Sequence, residues 1–168
     1  MKIIHVVPDA NIASGGAAYA STRLAHEQAH LGQQLYFLTL SQKLPPAQTW
    51  HSENVLYITS RSKLHFFVKL IKLLKICAYS ESIVHFHGLW VPQFFLMYIL
   101  LRLTKTQYLI SPHGSLEPGA LKHGYLKKLF ARKLFYNRFC SNSLRMLAFS
   151  DKERRSIITQ FTDTDVHV

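Results

Sequence analysis

The apolar residues of this chain form short runs that alternate with longer segments of helical periodicity. Seven short runs have the length and composition of β-strands: Lys2–Val7, Gln34–Leu40, Val55–Thr59, Ser82–Phe86, Gln107–Ser111, Arg145–Phe149 and Asp165–Val168. Five segments between them have the pattern of helices: Gly16–Leu31, Lys63–Tyr79, Val91–Leu103, Lys122–Phe139 and Asp151–Thr159. Because regular alternation favours parallel strand-helix-strand units, the pattern predicts an α/β fold with a doubly wound, Rossmann-like parallel sheet in a single domain.

Residues typical of helix termini support these boundaries. Gly32 follows the first predicted helix, where a left-handed residue is common, and Asp151 and Glu153 place negative charge at the start of the last one. The apolar run Phe94–Leu101 is much shorter than the roughly 20 residues that cross a bilayer. It therefore predicts a buried core helix.

Polar and glycine-rich loops follow three of the predicted strands. They are Ser14-Gly15-Gly16-Ala17, His87-Gly88-Leu89-Trp90 and Pro112-His113-Gly114-Ser115-Leu116-Glu117-Pro118. In an open parallel sheet, ligands bind outside the carboxyl ends of the strands. The three loops are therefore the candidate functional region.

Loops of this composition, in this order, resemble those of the amino-terminal domain of a retaining glycosyltransferase of family 4. In that family a Gly-Gly loop opens the first helix, a middle strand ends in a His-Gly turn, and a later strand ends in Pro-His-Gly before a Leu-Glu-Pro-like run. The resemblance covers nearly the whole chain and is strongest to the subgroup that builds bacterial surface polysaccharides. It implies that residues 1–168 are the acceptor-side domain and that a carboxyl-terminal donor-binding domain is absent from this chain.

The resemblance also implies an activity. The complete enzyme is expected to transfer a hexose or related sugar from a nucleotide diphosphate sugar, with retention at the anomeric carbon, to a lipid-linked glycan. The nucleotide sugar is a substrate, and neither a cofactor nor a metal is expected. Without the second domain, in cis or in trans, the chain is expected to be inactive.

Gly15 and Gly16 are the candidate contacts to the donor diphosphate. Glycine lets a backbone approach a phosphate closely, and the start of a helix favours an anion. The family resemblance assigns this loop to the cleft between the two domains. The alternative is that a strand-to-helix turn needs glycine for its backbone geometry alone.

His113 is the candidate catalytic residue. An imidazole can donate a hydrogen bond to a sugar hydroxyl or a phosphate, and the family resemblance implies that this one positions the acceptor or stabilises charge. Gly114 would allow close approach of the acceptor. The alternative is that His113 packs beneath its loop with its nitrogens satisfied by backbone carbonyls.

Three further residues are candidate acceptor contacts, each with a structural alternative. His87 and His85 point to one face of a strand and could bind a metal, but no third ligand stands at a recognisable spacing. His87 is therefore assigned to the acceptor pocket. Trp90 could stack on a sugar ring or lie in the core, and Glu117 could bind an acceptor hydroxyl or cap a turn.

Positive charge is concentrated in two segments. The chain has 20 Lys and Arg against 9 Asp and Glu, with a pI near 9.8. Lys63–Lys75 is a basic amphipathic pattern, and Lys122–Arg138 is rich in Lys and Arg beside aromatic residues. These segments predict peripheral attachment to an anionic membrane surface, unless their apolar faces pack on the sheet and the charges are merely solvated. Because Met1 runs directly into a strand pattern with no signal peptide, the expected location is the cytoplasm, at the inner face of the membrane.

Two hypotheses from other classes accompany this one. High positive charge with aromatic residues is also typical of nucleic-acid binding, although no recognised motif accompanies it. A stand-alone, non-catalytic binding module would equally lack a donor domain. The cysteines, Cys77 and Cys140, have no chelating spacing and are expected to be reduced.

Overall fold

One parallel sheet forms the centre of the molecule. The structure, a computed structural model, describes residues 1–39, 55–58, 67–68, 70–71, 74–75, 81–161 and 165–168. The strands within these residues are β1 (Lys2–Val7), β2 (Gln34–Thr39), β3 (Val55–Ile58), β4 (Ser82–His87), β5 (Gln107–Ser111), β6 (Arg145–Leu147) and β7 (Val166–His167). Their order in the sheet is β3-β2-β1-β4-β5-β6-β7, and all neighbouring pairs are parallel. The predicted Rossmann-like α/β fold is confirmed.

Six α-helices are described between these strands. They are α1 (Gly16–His30), α2 (Gln93–Thr104), α3 (Pro118–Lys122), α4 (Tyr125–Ala131), α5 (Asn137–Ser141) and α6 (Asp151–Gln160), with a 3-10 turn at Ile12–Ser14 and a π-helical turn at Arg132–Tyr136. The boundaries predicted for α1, α2 and α6 are each within two residues of those observed. Gly32 has a φ of 79°, as a left-handed residue after a helix requires.

The helix predicted over Lys122–Phe139 is confirmed from Tyr125 onward, and the prediction is wrong only for its first residues. Helical structure begins earlier, at Pro118, because a proline fits the first turn of a helix without losing a hydrogen bond. It is then interrupted at His123, which is extended, and at Gly124, which has a φ of 68°. Helical structure then runs without interruption from Tyr125 to Ser141, through the π-helical turn, so the region is a short helix, a break and a longer helix.

Strand order reverses between β1 and β4, which are neighbours at the centre of the sheet. From β1 the chain moves outward to β2 and β3, and from β4 it moves outward in the other direction to β5, β6 and β7. His5 of β1 stands opposite His85 of β4 in this central pair. Ligands of doubly wound sheets bind at such a reversal, outside the carboxyl ends of the strands.

The apolar core occupies both faces of the sheet. The larger cluster includes Phe86, Phe94, Tyr108 and Phe139, and its aromatic rings pack with centroids about 5 to 6 Å apart. A smaller cluster on the other face is formed by the following residues from β1, the loop after it, α1 and β2: Ile3, Val7, Ala10, Ala25, Ala29, Leu35 and Phe37. Helix α2 buries Phe94 but leaves Phe95, 43% exposed, at the surface, so the expectation of a buried core helix holds for one of its faces only.

Only part of the predicted basic helix Lys63–Tyr79 lies in the described residues. The six described positions of that segment are helical: Phe67, Val68, Leu70, Ile71, Leu74 and Lys75. Leu70 and Leu74 are buried and Lys75 is exposed, whereas Cys77 lies outside the described residues. In the part of the chain that is described, no helix has both the length and the apolar composition that a bilayer crossing needs. Cys140 is a free, buried thiol, and its burial raises its pKa.

Candidate active site

A cluster of buried histidines lies at the reversal point between β1 and β4. His5, His85 and His87 are 0%, 2% and 0% exposed, although histidine side chains are usually at least partly accessible. Residues alternate between the two faces of a strand, so His85 and His87 project from the same face of β4. Their ring centroids are 4.1 Å apart, which confirms that they share a face. The sequence interpretation missed His5, which packs 5.2 Å from the His87 ring.

Hydrogen bonds link the cluster into a line of side chains. Gln28 Oε1 on α1 is 2.8 Å from His5 Nε2, and His5 Nδ1 is 2.9 Å from His87 Nε2. His87 Nδ1 is in turn 2.8 Å from His113 Nε2. We call this line, Gln28-His5-His87-His113, the histidine line. It leads from a helix on one side of the sheet edge to the residue that the sequence singled out as catalytic.

Burial keeps these imidazoles neutral. Desolvation lowers the pKa of His5 from 6.5 to about 4, against the raising effect of the Gln28 hydrogen bond. Desolvation, together with repulsion from the neighbouring imidazoles, lowers the pKa of His85 and His87 well below 6.5. Desolvation also lowers the pKa of His113, and the nearby Glu153 opposes that effect. The site at neutral pH is therefore a set of uncharged rings.

The same three buried rings could approach one metal ion. One nitrogen from each of His5, His85 and His87 lies within 4.8 Å of the others. However, His5 Nδ1 and His87 Nε2 already pair with each other at 2.9 Å. His85 Nε2 is satisfied by the hydroxyl of Ser111 at 2.8 Å. Each of the three rings therefore has a hydrogen-bond partner that explains its burial without a metal ion.

His113 lies at the mouth of the cluster, on the loop after β5. It has a φ of 51°, an uncommon conformation for a residue other than glycine, and Gly114 follows with a φ of 75°. The ring is half-buried, stacked between His87 at 5.1 Å and the exposed ring of Phe149 at 4.8 Å. Two consecutive left-handed residues turn the chain sharply, so that the imidazole points back toward His87.

Glu153 fixes this loop from outside the sheet. Its carboxylate accepts hydrogen bonds from the Gly114 amide at 2.7 Å and the Phe149 amide at 2.9 Å, and the residue is 4% exposed. The sequence suggested only that Glu153 adds negative charge to the start of α6. Ser150 caps that helix by accepting from the Glu153 amide, which is half of the Ser-x-x-Glu capping pattern. That pattern was the available signal, but it gave no indication that the carboxylate reaches Gly114.

The Gly15-Gly16 loop opens α1 at the same edge of the sheet. Both residues are exposed, and Gly15 has a φ of 125°, a conformation that side chains other than glycine rarely adopt. No side chain caps α1 by a hydrogen bond, so its first amides are not satisfied by a cap. Asp9 shapes the preceding turn by accepting hydrogen bonds from the Asn11 amide and the Ser14 hydroxyl.

The loop after β4 contacts the ends of both neighbouring strands. A Cβ atom placed on Gly88 would lie 3.9 Å from Pro8 in the β1 loop, and the Gly88 amide donates to the Ser111 carbonyl at 2.7 Å. The loop after β4 therefore lies against the residue that follows β1 and against the last residue of β5. His87 itself lies behind His113 with no exposed surface, so its effect on a ligand has to pass through His113.

Trp90 and Glu117 have structural partners in addition to their predicted roles. Trp90 donates from Nε1 to the Ser115 carbonyl at 2.9 Å, which ties the β4 and β5 loops together. Glu117 precedes α3 without capping it, because its carboxylate forms an ion pair with Lys152 at 2.6 Å. Both residues belong to the candidate loops, and their contact with an acceptor stays a prediction.

An apolar hollow lies next to the site. A cavity of about 570 Å³ is lined by Trp90, Phe95, Phe130, Leu134 and Phe135, with Lys127 and Lys128 at its rim. Phe130 and Leu134 are 70% and 65% exposed, which is unusual for large apolar side chains.

A parallel doubly wound sheet, with its polar groups gathered where the strand order reverses, defines this chain as a Rossmann-like α/β domain with a ligand site at the carboxyl edge. The model of Glycosyltransferase Family 4 matches residues 14–168, more than nine-tenths of the chain, and the chain belongs to that family. It is thus a glycosyltransferase domain, which favours that hypothesis over nucleic-acid binding. No curated sequence matches the chain closely enough to count as a relative.

Proposed function

We propose that this domain binds the glycan acceptor in a retaining glycosyltransferase that uses a nucleotide diphosphate sugar. The acceptor would be a lipid-linked glycan of surface polysaccharide biosynthesis, and a second, donor-binding domain would complete the cleft. The observation that carries the proposal is the position of His113. Its half-buried ring closes the histidine line and lies at the carboxyl edge of the sheet, where doubly wound folds bind their ligands.

The other loops support the same arrangement. The uncapped start of α1, with Gly15 and Gly16, is suited to an anion such as the donor diphosphate. His113 and Gly114 are suited to holding the acceptor hydroxyl that attacks, since positioning of the two reactants supplies much of the catalysis in such a transfer. Trp90 and Glu117 would border the acceptor on the side of α3.

A transfer assay tests this proposal. The chain, alone and fused after Val168 to a donor-binding domain of the family, is given nucleotide diphosphate sugars and diphosphate-lipid glycan acceptors. We expect transfer only from the fusion, and a loss of about 10²-fold in kcat/KM for His113→Ala. The matched control is His30→Ala, which removes an exposed histidine of α1. Undiminished transfer by the His113→Ala fusion would refute the role given to His113.

We further propose that the surface of α4 and the following turn docks on anionic lipid. Leu126, Phe130 and Leu134 recur every four residues and are 76%, 70% and 65% exposed, so they form an exposed apolar stripe. Lys127 and Lys133 are exposed beside it. From Pro118 to Ser150 the chain has seven basic residues and no acidic one, so the charge complements an anionic bilayer. Docking here would bring a lipid-linked acceptor to the edge of the sheet.

Vesicle binding tests the docking surface. We expect the chain to sediment with phosphatidylglycerol vesicles and not with phosphatidylcholine vesicles. The double change Lys127→Glu with Lys133→Glu should weaken binding by about 2 kcal/mol or more, roughly 30-fold, at about 1 kcal/mol for each basic residue. The matched control is the double change Arg154→Glu with Arg155→Glu at exposed positions of α6. It changes the net charge by the same amount as the Lys127 and Lys133 changes. Equal loss in both double variants would show a general charge effect and no docking surface.

A further inference from the structure

We propose that Gln28 and His5 are positioning residues that, through His87, fix the tautomer of His113 with its proton on Nε2 and its lone pair on Nδ1. The proposal assigns a task to the part of the histidine line behind His113, in which His5 and His87 are fully buried. It implies that His113 meets the acceptor hydroxyl as a hydrogen-bond acceptor. That last implication, unlike the tautomer itself, rests on the proposed function.

The assignment starts at the Gln28 end. The Oε1 atom of a glutamine side chain is a carbonyl oxygen and can only accept a hydrogen bond. It is 2.8 Å from His5 Nε2, so His5 must carry its proton on Nε2. A neutral imidazole has one N–H, and the other nitrogen is then an acceptor. His5 Nδ1 is therefore bare.

Each following ring repeats the same constraint. Bare His5 Nδ1 is 2.9 Å from His87 Nε2, so His87 donates from Nε2 and leaves its own Nδ1 bare. His87 Nδ1 is 2.8 Å from His113 Nε2, so His113 also donates from Nε2. In this way one glutamine oxygen determines the proton positions of three rings, as long as every ring is neutral.

Burial supplies that neutrality. His5 and His87 are fully buried, and burial lowers the pKa of both rings, so neither carries a second proton at neutral pH. A second proton on either ring would place two N–H groups face to face and break the line. The neighbouring His85 does not compete for these nitrogens, because its Nε2 pairs with the Ser111 hydroxyl.

The free end of the line is His113 Nδ1. Within the described residues no hydrogen bond to this atom is found, whereas Nε2 is occupied by His87. His113 is half-buried, and its ring is held between His87 and Phe149. A ring fixed in orientation and in tautomer presents one lone pair in one direction, which suits a hydroxyl that must be aligned before it attacks.

The first test is made on the chain as it exists. Long-range ¹H–¹⁵N spectra distinguish protonated from bare ring nitrogens, and a pH of about 8 keeps the imidazoles neutral. We expect Nε2–H with bare Nδ1 for His5, His87 and His113. Nδ1–H on His113 in the unaltered chain would overturn the proposal, and so would an even mixture of tautomers.

Two variants of Gln28 test the direction of the line. Gln28→Glu retains an acceptor, and we expect the His113 tautomer to be unchanged. Gln28→Lys replaces the acceptor with a donor, and we expect all three tautomers to reverse, with the His113 proton moved to Nδ1. The matched control is Glu27→Gln, which raises the net charge by the same single unit at a side chain that is 51% exposed. A reversal in that control, or none in a folded Gln28→Lys, would refute relay along the line.

Metal analysis of the purified chain supplies a separate check. If zinc were bound stoichiometrically by His5, His85 and His87, the nitrogens that the line uses would be ligands, and the proposal would fall. We expect less than one-tenth of an equivalent of tightly held metal, with tautomers unaffected by a chelator.

The consequence for catalysis is measured in the fusion with a donor-binding domain. Gln28→Lys should reduce kcat by about 10²-fold with little change in the KM for the donor. The Gln28→Glu variant, which keeps an acceptor at this position, should retain most of the kcat of the unaltered fusion. If the His113→Ala fusion transferred sugar as fast as the unaltered fusion, the proposed function would be refuted and the tautomer result would still stand. Wrong tautomers in the spectra would refute the inference whatever the transfer assay gives.

Discussion

The two faces of the central strands differ in the chemistry they bury. On one face, Val84 and Phe86 of β4 join an aromatic core with Phe139. On the other face, His85 and His87 of the same strand meet His5 of β1. Both sets of side chains are almost completely inaccessible. Because apolar groups are stabilised by burial itself and polar groups only when they are paired, one face provides stability and the other provides an ordered set of hydrogen bonds.

The largest expected effect tests the apolar face. Phe139 is 0% exposed and packs against Phe86, Tyr108 and Phe135 with ring centroids between 5.1 and 5.3 Å apart. Phe139→Ala should lower the free energy of unfolding by about 3 to 5 kcal/mol, measured by urea denaturation. The control Leu103→Ala removes a side chain that is 76% exposed, and should cost less than about 1 kcal/mol. Equal costs would mean that the aromatic cluster is not the stabilising core.

The stability contributed by the histidine face should depend on pH, whereas the stability contributed by the aromatic face should not. Burial keeps His5 neutral in the folded chain down to a pH of about 4, whereas in the unfolded chain it takes up a proton below about 6.5. The stability that His5 contributes is therefore complete above pH 6.5 and is lost as the pH falls toward 4. The lowered pKa of His5 corresponds to roughly 3 kcal/mol over this window, and His85 and His87 act in the same direction.

Urea denaturation at several pH values between about 7.5 and 4.5 measures this loss. The control is the variant in which the exposed His30 is replaced by Gln, because it removes a histidine outside the cluster. A flat profile between pH 6.5 and 5 would contradict the buried, neutral state of the cluster.

The two faces also differ in how far the sequence could predict them. Alternation along Ser82–His87 was sufficient to place Val84 and Phe86 on one face and His85 and His87 on the other, because strand geometry is local. The pairing of His5 with His87 spans 82 residues, and no local pattern encodes it. Gly124 was visible as a possible break, but the strong Leu, Lys and Arg content around it favoured a continuous helix.

The loops at the site show the same limit. Their position could be predicted, since a Gly-rich or His-Gly segment after a strand must lie at the carboxyl edge of a parallel sheet. The partners of their side chains could not. Trp90 donates to Ser115, and Glu117 pairs with Lys152, because the crossover connections bring those elements side by side. Such contacts depend on tertiary packing, which a single sequence does not specify.

Substitution of Glu153 tests the pairing of one buried polar side chain. Its expected effect on the free energy of unfolding is the smallest of the three predicted effects. The two carboxylate oxygens of Glu153 accept from the amides of Gly114 and Phe149, and an isosteric amide retains only one acceptor oxygen. Glu153→Gln should therefore lower the free energy of unfolding by about 1 to 3 kcal/mol, because one buried amide loses its partner. The control is Asp151→Asn, which removes the other acidic residue from the first turn of α6 at an exposed position and should cost at most about 1 kcal/mol.

In the Glu153→Gln variant, the loss of stability should be accompanied by faster hydrogen exchange at the Gly114 and Phe149 amides. In the Asp151→Asn variant, exchange at these amides should be unchanged. Exchange reports opening of the loop itself, so it separates the loss of this local anchor from a general weakening of α6. Matching losses in the two variants, with unaltered exchange at both amides, would mean that Glu153 acts only through the helix dipole. The loop that carries His113 would then be held by the backbone conformation of His113 and Gly114 and by the stacking of the His113 ring between His87 and Phe149.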